Sequence, residues 1–130
     1  MTTLLLLDSQ VALWILDDNP RLGPHARQII KSTTTVHVSV ATVWELTVKT
    51  MLGKLSVPDK LASRLVEQGL SILNITAEHA ETLREFPELT QHDPFDRLLV
   101  AQASHAGLQL LTADHVLLSL GRDFIVNATL

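Results

Sequence analysis

The segment LLLLDSQVALWIL, residues 4–16, joins an apolar run to a helical pattern through a single acid. The unbroken run of leucines is typical of a strand that is buried on both faces of a parallel sheet. Residues 10–16 then carry apolar side chains at helical spacing. A buried strand that leads directly into a helix begins a β-α-β unit, so this segment predicts an α/β protein.

The same alternation of strand and helix patterns continues to the end of the chain. We predict strands at residues 4–7, 35–39, 71–75, 109–112 and 124–127, and helices at residues 10–16, 24–30, 41–52, 58–68, 77–86 and 94–106. Pro24 and Pro58 suit the first turn of a helix, and Gly107 suits a helix end. We therefore expect a single α/β domain over residues 1–130, with a central parallel sheet of four to five strands and helices on both faces.

Composition restricts the classes of function. The chain has 130 residues, 46% hydrophobic and 18% charged, and it lacks cysteine, which excludes disulfides and thiolate metal sites. Asp8 interrupts the apolar N-terminus, no Lys or Arg precedes it, and no apolar run reaches 18 residues. We expect a soluble cytoplasmic protein without a membrane span. The net charge of −4 argues against a broad basic surface for nucleic acids, so an RNA substrate would need bound cations.

Four acids occur in apolar segments: Asp8, Glu45, Asp96 and Asp114. A carboxylate is costly to desolvate unless something pairs with it. Asp8 and Asp114 come just after the carboxyl ends of two predicted strands, and Glu45 and Asp96 lie near the starts of predicted helices. Because ligands of open α/β sheets bind beyond the carboxyl ends of the strands, all four can converge there. A hard cation such as Mg²⁺, which prefers oxygen ligands, would relieve their mutual repulsion.

Each acid also has an ordinary structural interpretation. Acids beside predicted helix starts can simply cap the helix, which applies to Asp8, Asp93, Asp96 and Asp114. Glu45 and Lys49 have the i,i+4 spacing of a surface ion pair. Spacing alone leaves both interpretations open.

Other conspicuous side chains have simpler expected roles. Trp14 and Trp44 are interpreted as core or dimer-face aromatics. The six histidines do not form a metal-ligand spacing, and we expect His92 and His115 to be exposed to solvent. For Arg97, pairing with a pocket carboxylate and pairing with a phosphate are equally open, and the same holds for Lys49.

Four segments, in chain order, resemble PIN-domain nucleases, and within that family the VapC-type toxins of type II toxin–antitoxin systems. They are LLLLDSQVALWIL, SVATVWELTVKTMLGKL at residues 39–55, HDPFDRLLVAQA at residues 92–103 and LLTADHVL at residues 110–117. The third is the most specific. The chain departs from the family at Ser9-Gln10, where Thr-His is common, and at His92, where another basic residue often stands.

The resemblance implies an Mg²⁺- or Mn²⁺-dependent endoribonuclease that cleaves RNA phosphodiester bonds by metal-activated water. It also implies a parallel-sheet PIN fold, a homodimer and inhibition by a cognate antitoxin. Carried over residue by residue, the catalytic and metal-binding positions are Asp8, Glu45, Asp96 and Asp114. The positions assigned to the substrate pocket or its rim are Ser39, Lys49, Asp93, Arg97 and Thr112.

Two alternatives remain at this point. The chain can be a non-catalytic PIN-fold binding module that only holds a partner. A phosphotransfer domain with Asp8 as nucleophile fits less well, because Gln10 stands where the phosphatase pattern requires a second Asp. Metal-dependent cleavage of RNA distinguishes the nuclease from both.

Overall fold

The computed structural model describes residues 4–130, which form one five-stranded sheet with helices packed against it. The strands are β1 (Leu4–Leu7), β2 (Thr35–Ser39), β3 (Ser71–Leu73), β4 (Gln109–Thr112) and β5 (Ile125–Asn127). The helices are α1 (Ser9–Leu16), α2 (Pro24–Ser32), α3 (Val40–Met51), α4 (Leu61–Glu67), α5 (Ala77–Thr82), α6 (Pro94–Ala106) and α7 (His115–Leu118). Short 3₁₀ turns cover Leu83–Glu85 and Pro87–Leu89.

All strand pairs of this sheet are parallel, in the order β3-β2-β1-β4-β5. The leucine run is the central strand, with Leu5 opposite Val36 of β2 and Leu7 opposite Leu111 of β4. The prediction of an α/β fold around a parallel sheet is therefore confirmed, including the fifth strand.

The central strand has leucines at successive positions because both of its faces are covered. Leu5 and Leu7 pack in one buried cluster with residues of α1, α2 and α4. Leu6 points the other way, into a second cluster that contains residues of α6 and α7. Each fully buried leucine contributes roughly 1.5–3 kcal/mol of transfer free energy, so this strand anchors both layers.

Several element boundaries differ from the sequence prediction. Helix α4 begins at Leu61 instead of Pro58, because Lys60 adopts the left-handed conformation with φ 57° just before it. Strand β3 ends at Leu73, and Thr76 then caps α5. Segment 87–92, predicted as a loop, contains a 3₁₀ turn. Gly107 ends α6 in the left-handed conformation, as predicted.

The two tryptophans have different environments. Trp14, a residue of α1, is buried in the core cluster that also contains Leu5 and Leu7. Trp44 is 66% exposed and Met51 81% exposed. They belong to a stripe along α3 that we call the α3 apolar face, which consists of Val40, Trp44, Val48, Met51 and Leu52. None of the helices formed by residues 4–130 has the length and apolar character needed to cross a bilayer.

Candidate metal centre

A crevice opens at the carboxyl edge of the sheet between β1 and β4. From β1 the chain goes on to β2 on one side, and from β4 it goes on to β5 on the opposite side. The crevice between two neighbouring strands whose connections leave in opposite directions is the usual position of a ligand site in an open α/β sheet. The cleft has a volume of about 580 Å³.

The cleft is lined by both charged and apolar side chains. Its carboxylates belong to Asp8, Glu45, Asp93, Asp96 and Asp114, and its amines to Lys49 and Lys54. The four acids singled out in the sequence are thus brought together from separate segments. The uneven balance of charge makes the cleft strongly acidic.

Asp8 is fixed where β1 passes into α1, with only 5% of its surface exposed. Its Oδ1 accepts the N–H of Val11 at 2.8 Å and so caps α1, and its Oδ2 accepts the hydroxyl of Thr112. Burial raises the pKa of Asp8, the two hydrogen bonds oppose this, and Asp114 and Glu45 raise it further. Capping and a place in the cleft are therefore compatible.

Glu45 lies in the second turn of α3, near the start of the helix as the sequence predicts, and is 6% exposed. Its Oε1 accepts the hydroxyl of Ser9 at 2.6 Å, and its Oε2 accepts Nζ of Lys49 at 2.7 Å. The hydrogen bond to Glu45 is the main reason why the pKa of Lys49 is raised. Sequence reasoning noted the ion pair but missed Ser9, whose only signal was its position directly after the first acid.

Asp96 stands in the first turn of α6, whereas the cap of that helix is Asp93. Oδ1 of Asp93 accepts the backbone N–H groups of Phe95 and Asp96. Desolvation by burial, followed by repulsion from Asp93 and Asp114, raises the pKa of Asp96 to about 6. Burial and the neighbouring carboxylates therefore both disfavour the charged form of Asp96.

Asp114 follows β4 and caps the short helix α7, its Oδ1 accepting the N–H of Leu117 at 3.0 Å. The hydroxyl oxygen of Thr112 accepts the N–H of Asp114 at 3.0 Å and donates to Asp8. Thr112 is fully buried. One hydroxyl thus connects the acids that follow two adjacent strands.

His92 also lies in the cluster, so the expectation that it is exposed to solvent is wrong. Its Nε2 is 3.2 Å from Oδ2 of Asp96 and 3.8 Å from Oδ2 of Asp114. These three residues offer ligand atoms that all lie within 4.8 Å of one another. His115 is exposed, as expected. The i,i+4 spacing of His92 and Asp96 was the available signal.

A family model for the PIN domain matches residues 5–122 of the chain. The chain belongs to the PIN domain family. Three solved structures show the same fold. The VapBC2 complex of Rickettsia felis, bound to a promoter DNA fragment, has a TM-score of 0.65 and 15% identity over 96% of this chain and 97% of that chain. DNA-bound VapBC of Salmonella typhimurium has a TM-score of 0.62 and 21% identity over 98% and 97%.

The third structure is VapC20 of Mycobacterium tuberculosis, described as a toxin that cleaves the sarcin-ricin loop. Its TM-score is 0.50, with 18% identity over 90% of this PIN domain and 95% of that chain. A comparison with curated proteins found no match. At identities this low, the structural similarity establishes the common fold alone. The partners and activities named above are those of the compared proteins.

Two residues assigned to the pocket of this PIN domain lie elsewhere. Ser39 is fully buried and caps α3 by accepting the N–H of Ala41. Arg97 donates to the backbone oxygen of Thr90 at 2.8 Å and lines a different cleft. Successive residues of a helix point about 100° apart, so the neighbour of Asp96 faces away from the acids. Lys49 and Asp93 line the acidic cleft, and the hydroxyl of Thr112 donates to Asp8, one of its lining acids.

The donor set of the cleft fits a hard divalent cation. Mg²⁺ and Mn²⁺ bind carboxylate oxygens, and several carboxylates converge in this cleft. Of the two lysines that line the cleft, only Lys49 forms an ion pair with one of its acids. The pKa of Asp96 is raised first by desolvation and then by the neighbouring carboxylates, so the charged form of Asp96 is disfavoured without a cation. A divalent ion bound here would offset the negative charge that the side chains of this PIN domain leave unpaired.

Proposed function

We propose that this PIN domain is an Mg²⁺- or Mn²⁺-dependent endoribonuclease and the toxin of a toxin–antitoxin pair. The observation that carries the proposal is the convergence of four acids, from segments far apart in the chain, on the crevice beside β1. These acids are Asp8, Glu45, Asp96 and Asp114. Buried Glu45 is already paired with Lys49, whereas buried Asp8 accepts only hydrogen bonds from Val11 and Thr112, so the charge of Asp8 would be unfavourable without a nearby cation.

The same four acids would hold the ion. When bound, the ion supplies positive charge to the phosphodiester oxygens and makes water a stronger nucleophile at neutral pH. Asp8 and Asp114 are held in a fixed relation by Thr112. Such fixed geometry favours catalysis because the side chains need no rearrangement during the reaction.

The remaining polar groups orient water and substrate. Glu45 and Asp114 are the carboxylates suited to accept a proton from the attacking water. Ser9 and Lys49 each fix one oxygen of Glu45. Lys49 and Lys54, which line the cleft of an otherwise acidic protein, offer positive charge to RNA phosphates. Cleavage in this way leaves a 5′-phosphate and a 3′-hydroxyl, and we place it in the cytoplasm.

A second groove supports the proposal of an antitoxin partner. This groove, of about 350 Å³, contains Leu13, Trp14, Leu55, Val57 and Pro58, and it shares Leu13 and Leu55 with the acidic cleft. A peptide with an apolar segment and a nearby Arg could cover the groove and reach the acids together. The toxin–antitoxin complexes among the similar structures are consistent with this kind of partner.

The α3 apolar face supports a homodimer. Its exposed Trp44 and Met51 are side chains enriched in the centres of protein interfaces. A twofold dimer buries the same face of each copy, and this is the commonest symmetric assembly.

The decisive experiment uses purified, antitoxin-free protein and mixed cellular RNA. We expect cleavage with Mg²⁺ or Mn²⁺, none with chelator, and 5′-phosphate ends when the cuts are mapped. Asp96→Asn, purified in the same way, controls for a contaminating nuclease. A protein that binds an antitoxin peptide but cleaves no RNA under any of these metals would be a non-catalytic binding module.

A further inference from the structure

His92 occupies a well-defined position at the edge of the acidic cluster. Its backbone N–H donates to the oxygen of Leu89 at 2.9 Å, which ties it to the preceding 3₁₀ turn. The next residue, Asp93, is the cap of α6. With fixed backbone on both sides, its imidazole is directed toward Asp96 and Asp114.

We propose that His92 is a ligand of the metal centre, and that its nitrogen makes the centre select a first-row transition ion such as Mn²⁺ over Mg²⁺. This inference rests on the proposed function, since it assumes that the acidic cleft binds a divalent ion. It adds a residue outside the acidic set and a preference that carboxylates alone would not produce.

The distances agree with a shared ion. In an octahedral site with bonds of about 2.1 Å, adjacent ligand atoms are about 3.0 Å apart and opposite ones about 4.2 Å. Nε2 of His92 lies 3.2 Å from Oδ2 of Asp96 and 3.8 Å from Oδ2 of Asp114. Both values fall between or close to these spacings, so small side-chain adjustments place all three atoms in one coordination sphere.

The chemistry of imidazole determines the selectivity. Mg²⁺ prefers oxygen ligands and retains several waters, whereas first-row transition ions accept imidazole nitrogen with increasing affinity from Mn²⁺ to Co²⁺. Loss of a nitrogen ligand should therefore affect Co²⁺ most, Mn²⁺ next and Mg²⁺ least. Loss of a carboxylate ligand should affect all three ions.

The same contacts allow an opposite role. In this opposite role, Nε2–H of His92 donates a hydrogen bond to Oδ2 of Asp96, occupies the place of the metal and competes with it. The two roles predict opposite effects on affinity, because removal of a ligand weakens metal binding and removal of a competing donor strengthens it. Affinity measurements on one variant therefore distinguish them without any assay of RNA cleavage.

The experiment compares the wild type with His92→Gln by calorimetric titration of Mg²⁺, Mn²⁺ and Co²⁺. We expect the affinity for Mn²⁺ to fall at least about tenfold and that for Co²⁺ further, while the affinity for Mg²⁺ changes by less than about threefold. His92→Phe, which retains a ring without nitrogen, guards against an effect peculiar to glutamine. His115→Gln is the matched control, because this histidine lies near the cleft but outside the cluster.

Pulsed electron paramagnetic resonance of the Mn²⁺-loaded protein provides a direct readout. A coordinated imidazole gives a ¹⁴N coupling, which we expect in the wild type and in His115→Gln but not in His92→Gln. Unchanged or tighter Mn²⁺ binding by both His92 variants, or a missing ¹⁴N coupling in the wild type, would overturn this inference alone. A wild type that binds none of the three ions would overturn the proposed function as well.

Discussion

Asp8 and Asp114 each use Oδ1 to cap a helix, while Oδ2 of Asp8 accepts the hydroxyl of Thr112 and Oδ2 of Asp114 lies 3.8 Å from Nε2 of His92. Replacing either Asp by Asn therefore separates its role in helix capping from its proposed role in metal binding. Asn caps a helix about as well as Asp, but it carries no charge. The consequence is that the fold and the proposed chemistry can be tested independently at the same residue.

The first prediction follows for the four acids of the cleft. We expect Asp8→Asn, Glu45→Gln, Asp96→Asn and Asp114→Asn each to lower metal-dependent RNA cleavage by about 100-fold or more, with the fold retained. Cleavage rates and circular dichroism spectra of the same preparations check this. An Asp96→Asn variant with nearly full activity would contradict the assignment of the centre.

The second prediction concerns Thr112, whose hydroxyl joins Asp8 to the backbone of Asp114. Thr112→Val preserves shape and removes the hydroxyl, so we expect about 1–3 kcal/mol lower free energy of unfolding and weaker Mg²⁺ binding. Urea titrations and calorimetry measure both effects. Thr47→Val, an exposed threonine of α3, should change neither. Equal Mg²⁺ affinity in Thr112→Val and wild type would exclude a positioning role for the hydroxyl.

The third prediction uses the pKa of Asp96, which is raised from 3.8 to about 6, chiefly by desolvation. The folded state then binds more protons than the unfolded state between these pH values, so the metal-free protein loses stability as pH rises through this window. Asp96→Asn removes the effect. In the presence of chelator, we expect the melting temperature of Asp96→Asn to lie about a few degrees above that of the wild type at pH 8. At pH 4 the two melting temperatures should be nearly equal.

Melting curves at several pH values, with Asp123→Asn as an exposed control, measure this difference. Added Mg²⁺ should stabilise the wild type more at pH 8 than at pH 5, because a protonated Asp96 is a poor ligand. A melting difference between Asp96→Asn and the wild type that is independent of pH would show that the carboxyl does not titrate in this range.

At the scale of elements, the site depends on which face each helix turns toward the sheet edge. α6 buries Leu99 and Val100 against the sheet and brings Asp96 to the cleft. The same orientation turns Arg97 away. α1 similarly buries Val11 while its residues Gln10 and Leu13 reach both the acidic cleft and the neighbouring groove.

The fourth prediction belongs to this pair of adjoining surfaces. We expect an antitoxin peptide to place an Arg on the acids and an apolar segment in the groove beside Leu13 and Leu55. Mg²⁺ should then weaken peptide binding, and changing that Arg to alanine should remove the competition. Titrating Mg²⁺ against the bound peptide measures this. Undiminished inhibition by the altered peptide would place the inhibitor outside the acidic cleft.

At the scale of the whole molecule, the α3 apolar face is the exposed apolar stripe most suited to a second copy of the chain. The fifth prediction is that the antitoxin-free protein is a dimer at micromolar concentration and that Trp44→Glu makes it a monomer, because a buried charge disrupts the centre of an interface. Light scattering gives the mass. Val66→Glu, an exposed apolar position on α4, is the control. A monomeric wild type would refute the proposed dimer.

Features that depend on neighbouring residues could be predicted from the amino-acid sequence. The leucine run of β1, the start of α2 at Pro24 and the end of α6 at Gly107 follow from local conformational preference and burial. The four acids were identified for the same reason, since each carboxylate stands in an apolar segment. The start of α4 was missed because the left-handed conformation of Lys60 has no comparable local signal.

Contacts between distant segments could not be predicted in this way and are seen only in the folded protein. Ser9 and Glu45 are 36 residues apart, and Thr112 and Asp8 are 104 residues apart. Nε2 of His92 lies 3.8 Å from Oδ2 of Asp114, and the α3 apolar face is exposed. Such contacts depend on how the helices rotate and pack against the sheet. That packing is the collective result of the whole core, so no short segment of the sequence contains it.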